Sequence, residues 1–220
     1  EEISYLACQS FLVPVHGNRY PAPIIIQLGL TMAAVVVSLI EQKVRVWLEH
    51  FVVGLNLCPF AAPVVSSDRL RIKICESTDL DQVMHTFLSE LDLIQSSSEL
   101  DIATTLLVIP NALDDFEDYL DVIDLAETLL IDAGLEGVIQ LASFHPHYQF
   151  AEEPAESASH FSNRSPYPLI HFLREDMMAS ALQNFTNPEQ IPARNIEALQ
   201  EIGRNAIEQR WQQLLGDKAL

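Results

Sequence analysis

The sequence predicts an α/β fold: a small, mainly parallel sheet with a β-α-β-α-β core, packed by helices and followed by a long C-terminal helix. Three observations carry this expectation. Short apolar segments at residues 70–75, 104–109 and 137–144 have the length and composition of strands. Stripes of apolar residues at three- and four-residue steps lie between them. Strands alternating with helices give right-handed crossovers and parallel neighbours.

At 220 residues, 49 % of them hydrophobic, the chain can bury one substantial core. Residues 24–40 form an apolar run at the short limit of a bilayer span, which is roughly 17–25 residues. One reading is a membrane anchor or signal, although Glu1, Glu2 and a single Arg19 make a poor secretory leader. The other takes Met32 as the natural start, with residues 1–31 an extension outside a single domain at 32–220. The second reading is favoured because the pattern continues unbroken into an amphipathic helix carrying Val36, Leu39, Ile40, Val44, Trp47, Leu48, Phe51 and Leu55. The first thirty residues are then expected to pack poorly.

Cys58-Pro59-Phe60 and Pro63 make residues 54–67 a loop with at most one short turn. Residues 70–75 alternate Leu70, Ile72 and Ile74 with Arg71 and Lys73, as in a half-buried strand. Thr78 or Asp79 caps a helix with Leu80, Val83, Met84, Phe87, Leu88, Leu91 and Ile94 on one stripe, ended by Ser96 to Ser98. Residues 104–109 are continuously apolar up to Pro110, fitting a strand buried on both faces. Residues 113–132 form the next helix, with acids at its start and Gly134 beyond its end. After the third strand, residues 144–168 are a long polar and aromatic loop. Residues 169–174 read as a helical turn, Asp176 caps a short helix, and Pro192 opens a final helix to about Leu215.

Charge and cysteine usage narrow the function classes. The 31 acidic and 12 basic residues give a formal charge of −19, with no basic patch to offset it, which argues against nucleic-acid binding. Cys8, Cys58 and Cys75 form neither a disulfide framework nor a metal knuckle, consistent with a reducing cytoplasm. Phosphate-binding glycine loops, the G-x-S-x-G elbow and H-E-x-x-H are all missing.

The expected carboxyl ends of the strands, Cys75-Glu76, Pro110-Asn111 and Phe144-His145, face the edge where such sheets usually bind ligands. Residues 144–176 begin there. In an extended chain His145 and His147 point to one side, as a metal chelate requires, while the bland reading makes His145 a cap on the sheet. In a helix His171 and Glu175 lie four apart, a ligand pair or an oriented base, or else an ordinary surface contact. Arg164, beside Asn163 and Ser165, suits a carboxylate or phosphate, unless it merely pairs with one of the many acids. Cys58 before Pro59 is a candidate nucleophile if it opens a helix, and a packing residue by default.

Taken together, Trp47-Leu48-Glu49, residues 54–61 (GLNLCPFA), residues 143–150 (SFHPHYQF), residues 163–168 (NRSPYP) and His171 to Asp176 resemble the bacterial family catalogued as domain of unknown function 1415. The resemblance runs from about Ile40 to Leu215 and implies no activity. It marks Cys58, His145, Tyr148, Asn163, Arg164, Tyr167, His171, Arg174 and Glu175 as motif positions. It places His147 at a variable position, which favours His145 with His171 and Glu175 over the two-histidine chelate.

Three functional expectations follow. The first is an enzyme acting on a small anionic molecule, with a divalent metal ion as its cofactor if His145, His171 and Glu175 serve as ligands. There Asn163, Arg164, Tyr148 and Tyr167 bind substrate, while His145, His171 and Glu175 handle protons or the metal. The second is a thiol-dependent enzyme built on Cys58 and a nearby histidine. The third is a non-enzymatic binding module using the Pro/Tyr-rich loop. Convergence of His145, Arg164 and His171 on one cavity is the requirement of the first.

Overall fold

The computed structural model describes residues 24–183 and 187–216, with side chains from Met32 onward. The expectation that the first thirty residues pack poorly lies outside the described residues. Contacts group the chain into Glu1–Val35 and Val36–Leu220. Within the first unit residues 24–35 are helical, and Met32 and Val35 are exposed. No described helix is long and apolar enough to cross a membrane.

Helix α1 spans Ile24–Trp47 and runs directly into a π-helical turn at Leu48–Val53. The expected stripe is buried from Ile40 onward: Ile40, Val44, Trp47, Leu48 and Phe51 enter the core, whereas Val36 and Leu39 are exposed. The wider π turn rotates the face so that Val52 is buried as well. It closes at Gly54, where a Cβ would lie 2.3 Å from the His50 carbonyl oxygen, so no larger residue fits without backbone movement. A short helix α2, Ala61–Val65, follows.

The sheet contains β1 (Leu70–Ile74), β2 (Thr104–Val108), β3 (Ile139–Phe144) and β4 (Leu169–Arg174), in the order β1-β2-β4-β3. Helices α3 (Leu80–Ser96) and α4 (Phe116–Asp132) make the two crossovers. Asp79 caps α3 by accepting from the Asp81 amide, and Asp115 caps α4 through the amides of Glu117 and Asp118.

Two expectations are corrected. The sheet is mixed rather than mainly parallel: β1 and β2 are parallel, and β4 inserts antiparallel between β2 and β3. Residues 169–174 are this central strand, not a helical turn. Central strands buried on both faces lose the alternation that marks half-buried ones, and a short apolar run then looks the same in either conformation. The expected long final helix is two, α6 (Ile191–Ile202) and α7 (Arg204–Gly216). They break at Gly203, whose φ of 81° and ψ of 145° suit glycine alone. Between β4 and α6, α5 (Glu175–Leu182) starts one residue before Asp176.

Each face of the sheet carries its own core. On one, α3 and α4 place Val83, Phe87, Tyr119 and Ala126 against Leu107, Ile170 and Phe172. On the other, α1, the π turn, α6 and α7 place Trp47, Phe51, Leu199 and Trp211 against Leu106, Val108 and Leu169. Successive strand residues point to opposite faces, so neighbours in β4 report to different cores.

Candidate functional site

The face carrying Trp47 is incompletely filled. A cavity of about 420 Å³ lies between the sheet and the segments above it. Its sheet side includes Thr104, Ala142, Phe144 and His171. Trp47 at the end of α1, Leu48 of the π turn, Cys58 and Phe60 of the following loop, Val64 of α2, and Met177 and Met178 of α5 form much of the rest of the wall. A second cavity of about 620 Å³ is lined by Phe150, Glu152, Asn163 and Asn195 among others. Val52, Cys58 and Phe144 line both cavities.

The polar chemistry in the first cavity centres on His171. Its register partners are Leu106 on β2 and Ala142 on β3. The Thr104 hydroxyl lies 2.7 Å from His171 Nε2 and 2.6 Å from the Phe172 carbonyl oxygen. A carbonyl only accepts, so the single hydroxyl proton goes to Phe172. His171 Nε2 therefore carries a proton and donates it to Thr104, which leaves Nδ1 as an acceptor. Among the described residues Nδ1 has no hydrogen-bond partner. Burial holds the imidazole down to about 4, so it is neutral at ordinary pH.

Cys58 is held in place from α6. Arg194 Nη2 donates to the Asn56 carbonyl at 2.9 Å, and Asn195 Nδ2 donates to the Leu57 carbonyl at 2.6 Å. Asn56 adopts a φ of 52°, a conformation asparagine tolerates better than most residues. Burial pushes the Cys58 thiol up, outweighing the Phe60 and Ala61 backbone bonds and the Arg194 charge, all of which favour the thiolate. With a neutral histidine and a protonated thiol, the resting pair is not a thiolate–imidazolium couple.

The other candidates occupy different places. His145 is fully buried at the carboxyl end of β3, on the opposite face from His171, with its ring 5.0 Å from Tyr119 and 5.3 Å from Phe116. Its Nε2 donates to the Leu113 carbonyl at 2.9 Å, and its Nδ1 accepts from the His147 amide at 3.1 Å. Both nitrogens are committed, and the bond to Leu113 secures a leucine held at a φ of 63°. His145 thus caps the sheet, as the bland reading had it. Burial lowers its pKa.

Glu175 begins α5 at the other edge of the sheet, because β4 runs antiparallel. Leu169 pairs with Phe144, whereas Arg174 pairs with Ile139. About six strand residues, or roughly 20 Å, separate the two ends. His171 and Glu175 lack the helical i,i+4 relation because His171 lies in a strand. The structure therefore does not bring His145, His171 and Glu175 together. Among the described residues no three His, Cys, Asp or Glu side chains are grouped to hold a metal ion.

Arg164 also lies apart from both cavities. Its guanidinium carbon sits 4.4 Å from the Phe161 ring centroid, and Nε donates to the Tyr148 carbonyl at 3.4 Å. Burial, then the Arg204 charge, lowers its pKa. Asn163 Nδ2 donates to the Ser143 carbonyl at 3.1 Å, which ties the loop to β3 while the residue lines the second cavity. Tyr148 packs 5.1 Å from both Phe116 and Phe150, and Tyr167 packs against the core on the Trp47 side. Both tyrosines are half-buried.

Sequence reasoning missed Thr104 and Trp47 as site residues. A threonine opening a doubly buried strand was the available signal, since a buried hydroxyl needs a partner. The Trp47 indole Nε1 is buried without a hydrogen-bond partner.

A mixed four-stranded sheet covered by helices on both faces, with an apolar cavity on one, defines the structural class. The chain belongs to the family described as Protein of unknown function (DUF1415), whose model matches residues 39–209. No curated protein and no solved structure matches it.

Proposed function

We propose that the domain binds a small, mainly apolar molecule in the cavity beneath Trp47 and Cys58. The observation that carries this reading is the cavity itself. At about 420 Å³ it has the size typical of ligand sites. Its walls are largely apolar, with few polar groups, and such groups fix orientation rather than supply affinity. Arg69 also lines it and has no side-chain partner among the described residues. An unpaired guanidinium favours an acidic group on the ligand, in keeping with the anionic molecule expected from the sequence.

Anilinonaphthalene sulfonate fluorescence tests this reading. The dye should bind, and decanoate should displace it more strongly than methyl decanoate. Arg69→Gln should abolish that difference. Ala142→Phe, placed in the cavity wall, should reduce binding of all three; a folded Ala142→Phe protein that binds them unchanged would show that the cavity is not the site.

The second reading is thiol chemistry at Cys58. Its support is that Cys58 and His171 line one cavity and that Cys58 also borders the second. Since the resting thiol is not activated, this reading requires a bound molecule to supply the activation.

A further inference from the structure

The Thr104 hydroxyl has one proton and two close polar neighbours, and this fixes what His171 can offer a ligand. Phe172 presents a carbonyl at 2.6 Å, so the proton goes there. Two oxygens at that separation without a hydrogen between them would repel. His171 Nε2, at 2.7 Å from the same hydroxyl, must then be the donor. A neutral imidazole carries a proton on one nitrogen only, so Nδ1 bears a lone pair. Nothing among the described residues donates to it, and His171, only partly buried, lines the cavity.

The geometry points to a ligand that carries a hydroxyl or N–H group on an apolar body and donates that hydrogen to His171 Nδ1. The inference rests on the cavity reading above and deepens it by naming the chemistry of recognition. A phenol, an alcohol or an amide N–H fits. An ether or ester at the same position does not, because it would set a second lone pair against Nδ1. Discrimination arises because the acceptor is fixed in advance: Thr104 holds the ring in one tautomer, and in the opposite tautomer Nε2 would have no proton to give to Thr104. Low polarity around the ring strengthens a bond that is made and penalises one that is not.

Three other polar clusters among the described residues are satisfied internally. His160 accepts from the Phe150 amide and donates to the Pro154 carbonyl, and Ser157 and Ser159 both donate to Glu153. Arg71 and Glu90 form a closed pair on the far face.

The test uses the unmodified protein and two matched probes, para-hexylphenol and its methyl ether para-hexylanisole. They differ in whether the oxygen can donate. Displacement of anilinonaphthalene sulfonate measures affinity, and nitrogen-resolved imidazole NMR reads His171 directly, its signals assigned through the backbone of β4. In the free protein the His171 spectrum should show the Nε2–H tautomer. The phenol should bind about tenfold more tightly than the ether, the usual worth of one hydrogen bond in a protein site. It should also shift Nδ1 toward a hydrogen-bonded value. Equal binding of the two probes overturns the inference and leaves the cavity reading standing, as does a phenol preference without the Nδ1 shift. An Nδ1–H tautomer in the free protein overturns it before any ligand is added. If neither probe displaces the dye while decanoate does, the inference falls and the cavity reading stands; if decanoate fails as well, both fall.

Discussion

Thr104 and His171 share one short hydrogen bond across adjacent antiparallel strands, 2.7 Å from hydroxyl oxygen to Nε2. It links a residue that the sequence marks only as part of an apolar strand to one that stands out in any reading. The bond also sets the polar character of the cavity, since the ring's orientation and tautomer depend on it.

Thr104→Val keeps the shape and removes the acceptor. His171 Nε2–H then has nowhere to donate inside the core, and the expected cost is about 2 kcal/mol. Thr104→Ser should lose less than half of that. Urea denaturation of both variants decides the matter: equal losses would mean that methyl packing, not the hydroxyl, is what Thr104 supplies.

Acid should weaken the fold through His171. An unfolded histidine titrates near 6.5, whereas the folded ring is held to about 4 by burial. On acidification the unfolded chain therefore takes up the proton first. Stability from this group is complete above pH 6.5 and is lost as pH falls to about 4. The total is about 3 kcal/mol. His145, shifted in the same direction by burial, adds to the effect. Denaturation midpoints across this window should fall more steeply for the native protein than for His171→Phe. Parallel curves would remove His171 from the account.

Arg174 should behave as a structural clamp. Its Nε donates to the Ile102 carbonyl at 2.9 Å, and its Nη2 donates to the carbonyls of Ile94 and Ser97 at 2.6 and 2.8 Å. These groups close the end of α3 and the loop into β2. Arg174→Met should cost about 3 kcal/mol, and Arg174→Lys should recover only part, because an ammonium lacks the planar fork. Hydrogen exchange should quicken first in the last turn of α3.

Cys58 should alkylate more slowly than a model thiol at neutral pH, since burial pushes its thiol up. Decanoate in the cavity should protect the thiol further. Faster reaction than the model thiol would instead favour the thiol-dependent reading.

The α/β class, three of the four strands, both crossover helices and the positions of most loops were legible in the sequence. The reason is local: alternation in β1, stripes on α3 and α4, and caps such as Asp79 and Asp115 act over a few residues. Strand β4 was not legible, because a central strand packed on both faces carries apolar residues on both and loses the alternation that identifies a strand. That one misreading also displaced the candidate site. As a helical turn, residues 169–174 would join His171 to Glu175; as an antiparallel central strand they carry Glu175 to the far edge and set His145 and His171 on opposite faces.

Composition and motif thus determined which residues carry unusual chemistry, and Cys58, His145 and His171 were all recognisable without coordinates. Only the tertiary structure decided which of them meet. It assigned His145 to capping the sheet, placed Cys58 and His171 around one apolar cavity, and supplied Thr104 as the partner that fixes the imidazole. Strand order and direction set those relations through hydrogen bonds between residues 67 and 68 positions apart, and no local pattern encodes them.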